Sequence, residues 1–200
     1  MASSGFGANG FTPYRHLGGG VIRMNEYQIL TSSTTGFNDN IFSGDIVARN
    51  ADGTIETLAA AGGSDSAPTA IGVFAGCQYV DSSGIVWFKP NWVASTACLS
   101  GSTIKCWVYD DPMTTFVATT DSVTLTNQTD IGIGCDHIVG SGSALTGQSA
   151  SYVNNATLNT ISYLLRILSY PEIPNNVVGK TNCRVEVFIN EHVYRLGIGT

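Results

Sequence analysis

The sequence predicts an all-β protein: a single β-sandwich or β-barrel-like domain with an extended Gly/aromatic N-terminal arm. Three observations point there. Short apolar segments rich in β-branched and aromatic residues recur along the chain, and clusters of Gly, Asn, Asp and Ser separate them. Two of the segments alternate apolar and polar residues with a period of two. Charged residues make up only 12% of the 200 residues, about half the usual share. Solubility must then rest on Ser, Thr, Asn and Gly, which favour turns and strands over helices.

The elements follow in order. Residues 1–20 form the arm: Gly5, Gly7, Gly10 and Gly18 to Gly20 loosen the backbone, while Phe6, Phe11, Tyr14 and Leu17 supply apolar side chains. Aromatics in a glycine-rich terminus are expected to dock, either on the protein's own surface or on a neighbour. Residues 21–200 form the all-β domain. VIRMNEYQIL (21–30) reads as a strand with Ile22, Met24, Tyr27 and Ile29 turned inward. GDIVARNADGTIETL (44–58) reads as a hairpin whose turn places φ > 0 at Gly53. AIGVFAGCQYV (70–80) and GIVWF (84–88) make a second hairpin across Asp81-Ser82-Ser83-Gly84.

TIKCWVYD (103–110) sets Ile104, Cys106 and Val108 on one face and Lys105, Trp107 and Tyr109 on the other. TTFVATT (114–120) and IGIGCDHIV (131–139) follow. ISYLLRILSY (161–170) fits either a helical face or a strand, and its Ser, Tyr and Pro171 flanks favour the strand. In CRVEVFINEHVYRL (183–196), Val185, Val187 and Ile189 alternate with Glu186, Phe188 and Asn190. Residues 62–68 (GGSDSAP) and 140–151 (GSGSALTGQSAS) read as surface loops.

Several function classes are excluded by composition. The net charge is −6 and the lysines are only Lys89, Lys105 and Lys180, so no basic cluster exists to displace counterions from a nucleic acid or to hold an anionic membrane. No apolar stretch is long enough to span a bilayer. Residues 1–20 lack a charged segment followed by an apolar run, so no secretory signal is expected. The cysteines are Cys77, Cys98, Cys106, Cys135 and Cys183. An odd number without an export signal fits buried free thiols in a reducing compartment.

The residues that could carry chemistry do not assemble into a recognisable set. Cys135 and His137 would share one face of a strand, but zinc takes more ligands, often from a CxxC knuckle, and the chain has none. Asp110-Asp111-Pro112 could offer oxygens to calcium, yet that triplet also ends a strand by itself. Gly140-Ser141-Gly142-Ser143-Ala144 departs from GxSxG, Gly132-Ile133-Gly134 does not continue as GxGxxG, and no P-loop is present. Asn127-Gln128-Thr129 and Asn155-Ala156-Thr157 match glycosylation acceptors, which matter only in a secreted chain. No catalytic residue, cofactor or metal is assigned, and the chain is expected not to be an enzyme.

A set of segments in fixed order carries a resemblance: GFTPYRHLGGGVIRMNEYQI (10–29), FSGDIV (42–47), IGVFAGCQYVDSSGIVWFKPNW (71–92), VYDDP (108–112) and VEVFINEHVYR (185–195). Together they resemble tailed-bacteriophage structural proteins of the virion head, of the capsid decoration or cement type. The resemblance implies a β-rich, non-enzymatic protein that binds the major capsid protein on the outer face of the shell and resists strain between capsomers. It implies assembly in the host bacterial cytoplasm and a homo-oligomer, a trimer before a dimer. On this reading Phe11, Tyr14, Arg15 and Leu17 reach the capsid or a sister subunit, with Arg15 as the charged contact. Trp87 and Trp92 are candidate interface residues, core burial being the other reading for Trp87. The alternative function is a glycan- or host-surface-binding module displayed on the virion, with exposed aromatics stacking on sugars.

Overall fold

Alternation in Ile104–Tyr109 (β9) sends Ile104, Cys106 and Val108 into a closed interior and leaves Lys105 in solvent. A computed structural model of the chain describes residues 6–29, 37–58, 70–121, 127–159 and 163–195. The predicted loop at 62–68 lies outside them, as do Leu30, Ile161, Ser162 and Leu196. No α-helix occurs among the described residues.

β9 belongs to a barrel. With Asn25–Ile29 (β2), Ile46–Arg49 (β4), Ile55–Thr57 (β5) and Ala70–Val80 (β6) it forms the order β4-β5-β2-β9-β6, and β6 pairs back onto β4 to close the ring. Val86–Lys89 (β7) extends β6 past the point where β4 leaves it. A two-stranded ribbon, Ile41–Phe42 (β3) with Asn91–Trp92 (β8), packs at the barrel, where Ile41 and Trp92 join its core.

The second layer is a six-stranded sheet of order β1-β10-β14-β13-β11-β12. Its strands are Thr12–His16 (β1), Thr114–Thr119 (β10), Arg184–Ile189 (β14), Leu165–Ser169 (β13), Gly134–Ile138 (β11) and Tyr152–Asn159 (β12). All the pairings within it are antiparallel.

Two hydrophobic cores result. Inside the barrel lie Ile29, Val47, Ile55, Ile71, Phe74 and the inward face of β9. Between barrel and sheet lie Phe116, Ala118, Leu165, Ile167, Val185 and Val187, packed on Ile46, Ala48, Ala70 and Val73 of the barrel wall. β4 and β6 therefore serve both cores. Val47 points into the barrel while Ile46 and Ala48 point at the sheet, so three consecutive apolar residues are buried. The close approach of β6 to β9 needs a glycine at 72, where a Cβ would collide with the Tyr109 carbonyl.

Both hairpins form as predicted, with Gly53 at φ 88° and Gly84 at φ 84°. The ambiguous segment resolves as a strand over Leu165–Ser169. Three expectations are corrected, and one strand lies outside them. Residues 21–24 are not strand, and Met24 is exposed, because pairing with β9 begins only at Asn25. Part of the predicted arm belongs to the body of the protein: the Gly10 and Phe11 amides bond Ser151 and Gly44 carbonyls, and β1 pairs with β10. Only the first part of 140–151 is a surface loop, since Ser149 and Ser151 are buried against Asp45. Finally, β12 carries too many Asn and Thr residues for periodicity to reveal it, and Asn155 is buried within it.

Candidate interaction surface

Neither candidate chemical cluster converges into a reactive site. Cys135 is buried in the core between the layers, and burial raises its thiol well above the ordinary range. His137 packs edge-on to Phe11 and contacts the Leu58 carbonyl through Nε2 at 3.2 Å. Burial lowers its pKa to about 4, so it is neutral at pH 7. Among the described residues no group of three or more His, Cys, Asp or Glu side chains is placed to hold a metal.

The two aspartates at the end of β9 have separate structural roles. Asp110 accepts from Asn25 Nδ2 at 3.0 and 2.9 Å and from the Tyr27 hydroxyl at 2.5 Å. Asp111 accepts the Met113 amide at 2.9 Å and lies 3.2 Å from His16 Nε2. His16 Nδ1 in turn accepts the Gly18 and Gly20 amides, both at 3.1 Å, so the proton sits on Nε2 and faces Asp111. This clip shapes the glycine-rich turn after β1.

The residues singled out for an interface divide sharply. Phe11 is 1% exposed and Trp92 is fully buried. The indole N–H of Trp92 donates to the Phe37 carbonyl at 3.0 Å, and its ring meets Tyr79 edge-on. Both are core residues, and their side chains offer a partner nothing. Arg15 is partly exposed, but its guanidinium is spent on Glu186 of β14 within the same chain.

Tyr14, Leu17 and Trp87 do reach the surface. Tyr14 is the extra residue where the β1–β10 register shifts between Pro13 and Arg15, a β-bulge. It lines a shallow cleft of about 160 Å³ with Asn9, Thr12, Val117, Ile173 and Arg184. Leu17, Val21 and Met24, exposed on the loop that follows, make with Tyr14 the apolar margin of this part of the chain. β1 is the terminal strand of its sheet, so Tyr14 stands on an edge strand.

A second apolar surface was not legible as one in the sequence. On β7 and its approach, Ile85 is 55%, Val86 49%, Trp87 42% and Phe88 69% exposed. Four consecutive apolar residues carry no alternation to separate a buried strand from an exposed one. The side chains are nonetheless held. Trp87 Nε1 donates to Asp81 Oδ2 at 2.8 Å, Lys89 Nζ lies 5.0 Å from the Trp87 ring centre, and Phe88 stacks on Trp107 at 6.4 Å. Large exposed apolar side chains are a general feature of surfaces that contact other macromolecules. Comparison of the chain with protein-family models, curated proteins and solved structures finds no match.

Proposed function

We propose that the chain is a structural protein of a tailed-bacteriophage virion, a decoration protein that binds the outer surface of the capsid and stabilises contacts between capsomers. The observation that carries this reading is the apolar margin of Tyr14, Leu17, Val21 and Met24, with Tyr14 on the edge strand β1. It lies within the segment 10–29 that opens the resemblance to decoration proteins. A clamp between capsomers needs a rigid body and a neutral, apolar contact repeated around the particle. β1 is tied into the six-stranded sheet, so Tyr14 is presented by a fixed strand, and the loop that carries Leu17, Val21 and Met24 is held at its start by the His16 clip and by the Leu17 amide on the Met113 carbonyl.

In this role the partner is the major capsid protein, and no catalytic group takes part. The test is to add the purified chain to particles lacking it and to measure bound protein and the temperature of DNA release. Binding with an upward shift in release temperature, both lost in Tyr14→Ser/Leu17→Ser, is expected. Unchanged particle stability and no bound protein would overturn the assignment. Binding that survives the double substitution would move the contact to another surface.

A further inference from the structure

β7 has one paired edge and one bare edge. The Asp81 amide donates to the Ile85 carbonyl at 2.9 Å, which fixes the phase of the ladder. Trp87 and Lys89, opposite Tyr79 and Cys77, direct their backbone groups toward β6. Val86 and Phe88 consequently direct their N–H and C=O groups outward. Among the described residues no strand pairs with that edge. The protections of this edge stand only at its end, where Lys89 and Pro90 close the strand. Val86, Trp87 and Phe88 include no proline or charge, and the Lys89 ammonium is drawn over the Trp87 ring.

We infer that this edge pairs antiparallel with the same edge of a second copy of the chain, about a two-fold axis passing beside Trp87. A two-fold that sets identical edges side by side stands perpendicular to the sheet, so each residue meets one from the same face. Centring on Trp87 sets Val86 against Phe88 of the second copy, twice, and all the outward N–H and C=O groups of both strands are satisfied. Centring on Phe88 would set Val86 against Pro90, which has no N–H. Centring on Val86 would set Phe88 against Gly84, which lies in the turn at φ 84°.

Charge selects a second copy as the occupant. Asp81 and Lys89 are the only charged residues between Ala70 and Trp92, Lys89 at the end of β7 and Asp81 in the turn that precedes it, opposite Ile85. The two-fold carries Lys89 of each copy opposite Ile85 of the other, one strand from the Asp81 turn, so opposite charges approach each other at both ends of the seam. The side chains agree with this register. The two Trp87 rings adjoin on one face, each already fixed by Asp81, and Val86 adjoins Phe88 on the other, with Phe88 already fixed by Trp107. Ordering these groups before contact lowers the entropy lost on association. This surface lies apart from the Tyr14–Met24 margin, so the inference does not depend on the capsid assignment.

Sedimentation equilibrium on the full chain, over about two decades of micromolar concentration, tests it. A monomer–dimer equilibrium is expected, and Val86→Lys should weaken it by about tenfold or more by setting a charge into the seam. The register is read by cross-linking. Trp87→Cys treated with diamide should give a disulfide dimer, since this is the one position that meets itself, whereas Val86→Cys and Phe88→Cys should not. The native cysteines are all buried and add no background. Far-UV circular dichroism and melting of each variant establish that the fold is retained. A monomer throughout the range would overturn the inference, as would a trimer, an association unaffected by Val86→Lys, or cross-linking by all three cysteines alike. So would a monomer whose Val86→Lys variant no longer binds particles, because the edge would then receive a capsid strand.

Discussion

Arg15 closes on Glu186 in a two-pronged ion pair, Nε donating to Oε1 at 2.6 Å and Nη2 to Oε2 at 2.9 Å. The pair spans β10, the strand that separates them in the sheet. The Glu186 side chain is 1% exposed, and Ser169 Oγ also donates to its Oε2 at 2.5 Å. Burial pushes this carboxyl upward, but the hydrogen bonds from Arg15, Ser169 and Thr115 outweigh it and hold the pKa below the ordinary value. Arg15 thus locks the edge strand β1 onto the domain.

Removing Arg15 should therefore strand a buried carboxylate. Arg15→Ala is expected to lower the melting temperature at pH 7, and adding Glu186→Gln to that variant should recover part of the loss. A double-mutant cycle by urea unfolding checks this. Additive effects would mean that the pair does not couple β1 to β14.

Acid should destabilise the fold before most carboxylates titrate. Burial lowers the pKa of His137 to about 4 and lowers that of His192. Below an unfolded value of about 6.5 the unfolded chain binds protons that the folded chain refuses, so stability falls as pH falls. Each histidine contributes a slope of at most about 1.4 kcal/mol per pH unit, for His137 between about pH 6.5 and 4. Urea unfolding at stepped pH should show this loss, and His137→Gln should flatten it. An unchanged slope in the variant would place the effect elsewhere.

Asp45 fastens the descending part of the 140–151 segment to the barrel. Its Oδ1 accepts from Ser149 at 2.5 Å and Ser151 at 2.8 Å, and its Oδ2 accepts the Phe42 amide at 2.8 Å. All of this is buried. Asp45→Ala should cost about 3 kcal/mol or more, because two hydroxyls and an amide lose a charged partner at once. Equilibrium unfolding measures it, and a loss below about 1 kcal/mol would show that the segment holds without the carboxylate.

The glycines make a graded comparison. Gly72→Ala drives a Cβ into the Tyr109 carbonyl, while Gly84→Ala meets nothing within 4 Å and bears only the strain of φ 84°. The first should cost more than about 2 kcal/mol and the second about 1 kcal/mol. Equal losses in thermal unfolding would contradict the close packing of β6 on β9.

The thiols should be silent in the native protein. All five cysteines are buried, and burial pushes Cys77 and Cys106 up to about 12. A thiol-specific dye should react with none of them in native buffer and with all in denaturant, since only the thiolate attacks. Fast native labelling would show that the barrel opens.

The sequence by itself determined the class of fold, because strand periodicity and turn chemistry are local. Ile104, Cys106 and Val108 had to share a face whatever lay beyond it, and Gly53 and Gly84 had to supply the positive φ of their turns. It also set the low charge, with nine Lys and Arg against fifteen Asp and Glu. What it left open was which faces the protein itself covers, since that depends on residues distant in the chain. Phe11 and Trp92 are as apolar as Trp87 and Phe88, yet the first two are buried by His137 and Tyr79 and the last two stand in solvent. Only the tertiary structure decided this: packing of the six-stranded sheet on the barrel buried Phe11, docking of the β3–β8 ribbon buried Trp92, and β7 was left outside the ring.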